Sequence, residues 1–325
     1  MKKKRGKLAD FLLAAPILFI LELTRILPRS LGCRFWDAIS MLGYYLVAGR
    51  RRIMRKNMEM AFPAKKAKEL DELGRKAYIS IGRTYAEFCK TGSLNDKNVD
   101  EFATFEGMEN LKRALEKGKG VIVPTMHYYN VELIPAALAA RGFPAHWVMR
   151  EVDNFFIDRK MDEVRTGSGL KTIKKEGAYR EMIRTVRKGE ILFITTDQKA
   201  GFNEVWVKFL GLWSATVRSP AVLSLRTGAA IVPMFSTPQP DQTHHAYFLP
   251  AIKYDSTGDM KKDVFAITQI IADLQTEFIG KHPELWLWLH RKWSMSLSQA
   301  EEKEAEAMLQ SAVKNGLKAD CSVIK

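Results

Sequence analysis

The chain has 325 residues, 46% hydrophobic and 27% charged, with 12 Pro and 21 Gly. That composition excludes a disordered, collagen-like or multi-span membrane chain and allows two domains or one large one. The three cysteines (Cys33, Cys89, Cys321) lie far apart with no C-x-x-C pair, against a disulfide framework or Cys-based zinc site and in keeping with a reducing compartment. The net charge is +14, and residues 1–60 hold +9 of it, from thirteen basic and four acidic residues. Such a field attracts polyanions: nucleic acid, anionic lipid or phosphorylated small molecules.

The basic cluster Met1–Lys7 leads into Leu8–Leu27, whose uncharged stretch, Phe11–Leu21, is only eleven residues. A spanning helix needs roughly 20 apolar residues. Three readings stand: a signal peptide without its small-residue cleavage site, a short spanning anchor, or a helix lying in the membrane interface. Ser30-Leu31-Gly32-Cys33 is a poor lipoprotein site, because Ser30 stands where an apolar residue belongs. A second basic run, Arg50–Lys56, has five basic residues in seven; it is a phosphate-seeking surface or a solvated helix face. Neither run carries aromatic platforms or a helix-turn-helix pattern, so nucleic acid is not an expected partner.

Apolar spacing predicts helices over Val47–Met60 and Glu69–Lys90. From about residue 100 short β-rich runs alternate with amphipathic stretches. The expected strands are 121–123, 146–149, 191–194, 230–235 and 247–249; the expected helices are about 131–141, 176–188 and 217–227. Gly118, Gly142, Gly189 and Gly228 fall where helix-terminating glycines belong. The expectation is an α/β fold with a mostly parallel central sheet flanked by helices and an N-terminal helical membrane-associating segment. A long helix follows over 261–280. The divisions are a basic, apolar anchor (1–30), a helical region (31–100), an α/β core (101–297) and a charged tail (298–325), read as a loose helix.

The strongest chemical signal is His127 followed by Glu132. His127 falls just past the strand run 121–123, where parallel sheets gather reactive groups. On one ideal helix the two side chains would point about 140° apart, so they meet only if His127 lies in the loop and Glu132 in the first turn. A neutral imidazole accepts a proton near pH 7, and a carboxylate on its other nitrogen fixes the tautomer. The plain alternative is a strand-end histidine bonded into the core. H-E-x-x-H is absent, and His244-His245 lacks ligand-spaced partners, so neither a metal nor a cofactor is expected. Trp286, Trp288 and Trp293 suit a membrane interface or a core equally. His290-Arg291-Lys292 suits phosphate contact or a solvated helix end.

His127-Tyr128-Tyr129-Asn130-Val131-Glu132 resembles the H-x-x-x-x-[D/E] signature of glycerolipid acyltransferases, particularly the H-x-G-N-W-E form of the bacterial lipid A late acyltransferases. Further segments fall in that family's order: Arg51–Pro63 with Asn57, Met58, Phe62 and Pro63; Val148-Met149-Arg150; Thr196-Asp197-Gln198 with Gly201; Phe209-Leu210-Gly211 leading into Thr216–Pro233; and Trp286–Trp293. The resemblance spans about residues 10–294. It implies transfer of a fatty acyl chain, from acyl carrier protein or else acyl-CoA, to a hydroxyl of a lipid A precursor or related glycolipid at the cytoplasmic face of the inner membrane. By the same resemblance His127 would be the general base and Glu132 its partner. Arg150, Arg165, Asp197 and Gln198 would shape the substrate side. Tyr129 stands where the family has Gly, and Val131 where it has Trp. Asp197-Gln198 replaces the E-G-T-R of phospholipid-type acyltransferases, which argues against a glycerol-phosphate acceptor. A phosphatidylinositol mannoside acceptor, or a non-catalytic anionic-lipid binder on the same scaffold, are the alternatives.

Overall fold

A computed structural model describes residues 6–201 and 204–314. Most of the first basic cluster, Cys321 and the end of the charged tail lie outside the described residues. Four helices open the chain: α1 (Lys7–Ile26), α2 (Arg29–Leu46), α3 (Ala48–Ala61) and α4 (Ala67–Thr91). The core then alternates β1 (Ala103–Glu106), α5 (Met108–Glu116), β2 (Val121–Thr125), α6 (Leu133–Ala140), β3 (Ala145–Met149), α7 (Phe155–Thr166), β4 (Lys171–Lys174), α8 (Tyr179–Arg187) and β5 (Ile191–Thr195). Next come β6 (Val205–Phe209), β7 (Leu212–Thr216), α9 (Ser219–Thr227), β8 (Ala230–Ile231), β9 (Met234–Pro238), β10 (His244–Phe248), α10 (Met260–Lys281) and α11 (Gln299–Lys314).

The central sheet has the order β4-β3-β5-β2-β8, and every pairing in it is parallel. Its inner strands β3, β5 and β2 bury both faces, so period two divides their apolar residues between two cores. Val121, Val123, Trp147, Ile191 and Phe193 face α6 and β1. Ile122, Leu192 and Ile194 face α8, α9 and α10 through Val186, Leu223 and Ile267. Each such fully buried side chain contributes roughly 1.5–3 kcal/mol of transfer free energy.

No expected run covers β1, α5, α7 or β4, and further elements differ in form. The run 230–235 is two strands, because Val232-Pro233 interrupts it: β8 joins the central sheet, while β9 pairs with β10 in a second sheet of order β1-β10-β9. Proline cannot donate a ladder hydrogen bond, so the chain changes sheets there. The hairpin β6–β7 was not foreseen. Its turn, Leu210-Gly211, has positive φ at both residues (50° and 77°), the twist-matched arrangement for a two-residue hairpin. The described part of the tail is an ordered helix: α11 docks on α10, with Met308 and Ala312 packed against the core and a Lys261–Glu304 ion pair, and reaches β6 through the Lys208–Glu306 ion pair.

The N-terminal helix runs through Pro16. Its buried residues, Ala14, Leu21 and Thr24, face the protein. Leu8, Leu12, Phe19 and Ile26 are 63–73% exposed and fall within about 40° of one another on the opposite side. Among the described residues no helix is long and apolar enough to cross a membrane. Cys33 is buried in α2.

Candidate active site

β2 and β5 pair in register to their last residues, Thr125 opposite Thr195. Neighbouring strands lie about 4.8 Å apart. His127 and Asp197 each stand two residues beyond that last pair and therefore emerge side by side. Gln275 on α10 pins both strand ends, its Nε2 donating to the Thr125 carbonyl (3.0 Å) and to Thr196 Oγ1 (2.8 Å).

His127 Nδ1 lies 2.9 Å from Asp197 Oδ1, and the Trp286 indole N–H donates to Asp197 Oδ2 at 2.8 Å. Asp197 is buried, whereas the His127 side chain keeps 31% exposure. Burial alone would push the imidazole below its ordinary 6.5, but the Asp197 carboxylate, with a smaller contribution from Glu132, holds it above. Burial likewise opposes ionisation of Asp197, yet His127 and then the Trp286 N–H hold its pKa below the usual carboxylate range. Nδ1 is therefore the protonated nitrogen. Nε2 has no hydrogen-bond partner among the described residues, which leaves it free to take a proton.

The expected ring partner, Glu132, is turned elsewhere. It occupies the position just before α6, and Arg165 on α7 grips it with two hydrogen bonds, Nε–Oε2 at 2.6 Å and Nη2–Oε1 at 2.9 Å. Glu132 acts on His127 through its charge, not through contact. Asp197 supplies the contact, although the resemblance assigned it to the substrate side. Arg165 is likewise committed to Glu132 and buried, stacked 5.5 Å above the Phe88 ring. Gln198 contributes its backbone carbonyl, which accepts from Lys292 Nζ at 3.4 Å. Arg150, exposed beyond β3, lines a separate hollow with Asp153, Asp158 and Lys175.

The segment after α10 closes the site from behind. It is not a helix end: Leu287 N–H donates to the His127 carbonyl (3.0 Å), and Tyr129 N–H donates to the Leu285 carbonyl (2.8 Å). Asn57 on α3 clamps the same segment through the carbonyls of Trp288 (2.8 Å) and His290 (2.7 Å). Trp286 and Trp288 are core residues, each at most 2% exposed, not an interfacial belt. Lys292 is also buried, over the Phe209 ring at 4.8 Å, and burial lowers its pKa to about 8. His244 lies in β10 rather than in a turn, with Nε2 2.5 Å from Glu87 Oε2. No metal-ligating cluster is present among the described residues.

His127 opens on a cavity of about 170 Å³ whose walls include Ile81, Phe88, Met161, Leu285 and Leu287. Asn130 lines it too; this side chain is 1% exposed, and neither its amide nitrogen nor its oxygen has a partner among the described residues. Sequence reasoning missed that residue, though it sits inside the signature. Buried polar groups are nearly always bonded, so this amide is left for a water or a ligand that enters the cavity it shares with His127.

A family model for bacterial lipid A biosynthesis acyltransferases matches residues 3–295. The chain belongs to that family. This acyltransferase is 25% identical over 269 residues to the lipid A biosynthesis palmitoleoyltransferase of Escherichia coli K12, covering 82% of this chain and 86% of the relative. It is 23% identical over 281 residues to the lauroyltransferase of the same organism, covering 84% and 89%. The acyltransferase is also 23% identical over 276 residues to a phosphatidylinositol mannoside acyltransferase of Mycobacterium tuberculosis, covering 80% and 83%.

Proposed function

We propose that this enzyme moves a fatty acyl chain from an acyl thioester, acyl carrier protein being the first carrier to test, to a hydroxyl of a lipid A precursor or related glycolipid. The observation that carries the reading is the His127 imidazole on the wall of an apolar cavity, held through Nδ1 by an ionised, buried carboxylate. An alcohol is a poor nucleophile until its proton is removed. Nε2 takes that proton as the alcohol oxygen bonds to the thioester carbonyl carbon. The Asp197 carboxylate stabilises the imidazolium that forms. Negative charge develops on the carbonyl oxygen, and the Asn130 Nδ2–H is the donor we assign to it. Collapse breaks the C–S bond, and the imidazolium returns its proton to the leaving thiolate. The products are an ester and a free thiol. Glu132, neutralised in part by Arg165, adds the second negative charge that keeps the imidazolium favourable.

The membrane contact we assign is interfacial. The exposed row Leu8, Leu12, Phe19 and Ile26 on α1 suits insertion among acyl chains, and the Arg50–Lys56 run suits anionic head groups. By this reading the catalytic core lies on the cytoplasmic face of the inner membrane.

The test is acyl transfer by detergent-solubilised protein, wild type beside His127→Ala. Carrier-protein and coenzyme A thioesters would be paired with a tetra-acylated lipid A precursor and with a phosphatidylinositol mannoside. Gain of one acyl unit on either acceptor with wild type alone is the expected result. No gain on either acceptor from any donor would overturn the reading.

A further inference from the structure

Behind the catalytic cavity lies a second one of about 560 Å³, with a different chemistry. Its walls carry Arg34, Asp37, Lys76, Arg83, Glu87 and Glu284. Ser80, Tyr129 and Leu285 line both cavities and so form the partition between them. Tyr129 is the one large side chain in that partition with a polar end. Its hydroxyl donates to Glu87 Oε1 at 3.1 Å, and Glu87 in turn meets His244 at 2.5 Å. The Tyr129 and His244 rings stand 5.3 Å apart.

The Tyr129 backbone in this partition is bonded on both sides. Tyr129 holds φ +47°, a left-handed conformation uncommon for a bulky residue. Its N–H is bonded to the Leu285 carbonyl and its own carbonyl accepts from Val131 N–H at 3.0 Å. A residue kept in that conformation by bonds on both sides signals a functional constraint.

We infer that Tyr129 is a specificity-determining wall: its ring ends the acyl cavity and its hydroxyl ties that ring to the charged side, confining the acyl chain to the apolar cavity. The inference rests on the acyl-transfer reading above. An apolar cavity of about 150 Å³ accommodates a ligand the size of benzene, so the catalytic cavity has room for about six carbons before a chain must turn outward. Removal of the ring would join it to a space more than three times larger. Tyrosine suits such a wall because one end is apolar and the other needs a hydrogen-bond partner.

The experiment compares wild type, Tyr129→Gly, Tyr129→Asn and Tyr129→Phe, full-length and in detergent. Glycine and asparagine both tolerate positive φ, so a folding failure of one leaves the other. Each protein would be given acyl thioesters of graded chain length, with transfer and hydrolysis both read. The ratio of kcat/KM for the longest accepted chain to that for the shortest should rise about tenfold or more in Tyr129→Gly and Tyr129→Asn, the scale on which apolar pockets discriminate chain length. Tyr129→Phe, which keeps the ring, should leave the ratio where it is. An unchanged ratio in active Gly and Asn variants, or an equal shift in Phe, would overturn the proposal. A fatty acyl probe with a diazirine on its terminal carbon provides a readout that needs no turnover. It should label peptides holding Arg34 or Lys76 only when the ring is gone. Labelling there in wild type, or in no variant, would sink the wall even in a protein that transfers acyl groups; wild type inert toward every thioester would instead sink the acyl-transfer reading.

Discussion

Asp197, 70 residues beyond His127 in sequence, holds the imidazole at 2.9 Å because parallel strands β2 and β5 end in register. The Trp286 indole N–H then donates to the second carboxylate oxygen. In the mechanism proposed above the arrangement parallels a Ser-His-Asp triad without the serine: a carboxylate orients the imidazole through Nδ1 and leaves Nε2 for an incoming alcohol.

Asp197→Asn should leave the fold intact and lower kcat by about 10²–10⁴, because the amide can hold the ring in the wrong tautomer and cannot stabilise an imidazolium. Circular dichroism beside transfer kinetics checks both halves. Activity retained within a few-fold would show that Asp197 is not the orienting group.

The acid limb of kcat/KM should lie above pH 6.5, because the base must be neutral and His127 titrates above its ordinary value. The linkage signs are opposite for the two partners. His127, raised on folding, contributes stability that is full below pH 6.5 and lost as pH rises through its folded value. Asp197, lowered on folding, contributes stability that is present above its ordinary 3.8 and lost as pH falls through its folded value. Denaturant melts across pH 3–9 would show a loss at each end.

Asn130→Ala should lower kcat by about 10²–10³ with KM little changed, the signature of a donor used mainly in the transition state. A rise in KM with kcat preserved would assign Asn130 to ground-state binding instead.

Lys292→Met should raise stability at pH 7 while lowering activity. Burial lowers the lysine to about 8 from 10.5, so the folded state carries a penalty of about 3 kcal/mol below pH 8, relieved as pH rises from 8 toward 10.5. The same charge favours the ionised form of Asp197. Thermal melts and the transfer assay on one preparation would separate the two effects; a Lys292→Met protein less stable at pH 7 contradicts this account.

Asn57→Ala should cost about 2–3 kcal/mol, since it strands the Trp288 and His290 carbonyls in a packed site. It should also lower activity, because the segment it clamps is bonded to the backbone of His127 and Tyr129. Urea unfolding reads the first effect and kcat the second.

Much of the fold was legible along the chain. The alternation of β-rich runs with amphipathic stretches indicated a parallel sheet, and Gly118, Gly142, Gly189 and Gly228 all adopt positive φ before the next strand. What misled was local continuity: 230–235 looks like one strand until Pro233 forces a change of sheet, and the Leu210-Gly211 turn lacks the Asn-Gly or Asp-Gly pair that marks a two-residue hairpin in sequence.

By itself the sequence determined that His127 leaves a strand end with Glu132 five residues on, because strand and helix periods are local properties. It also determined the apolar and basic character of the first 60 residues. Only the tertiary structure decided which carboxylate touches the imidazole. That depends on the register of two strands whose ends are 70 residues apart, and on an arginine 33 residues away that takes Glu132 for itself. It likewise decided that Trp286 and Lys292 are buried around Asp197, and that Tyr129 stands between an apolar cavity and a charged one. Side-chain pairing across a packed core is set by which elements meet, and no short stretch of sequence carries that information.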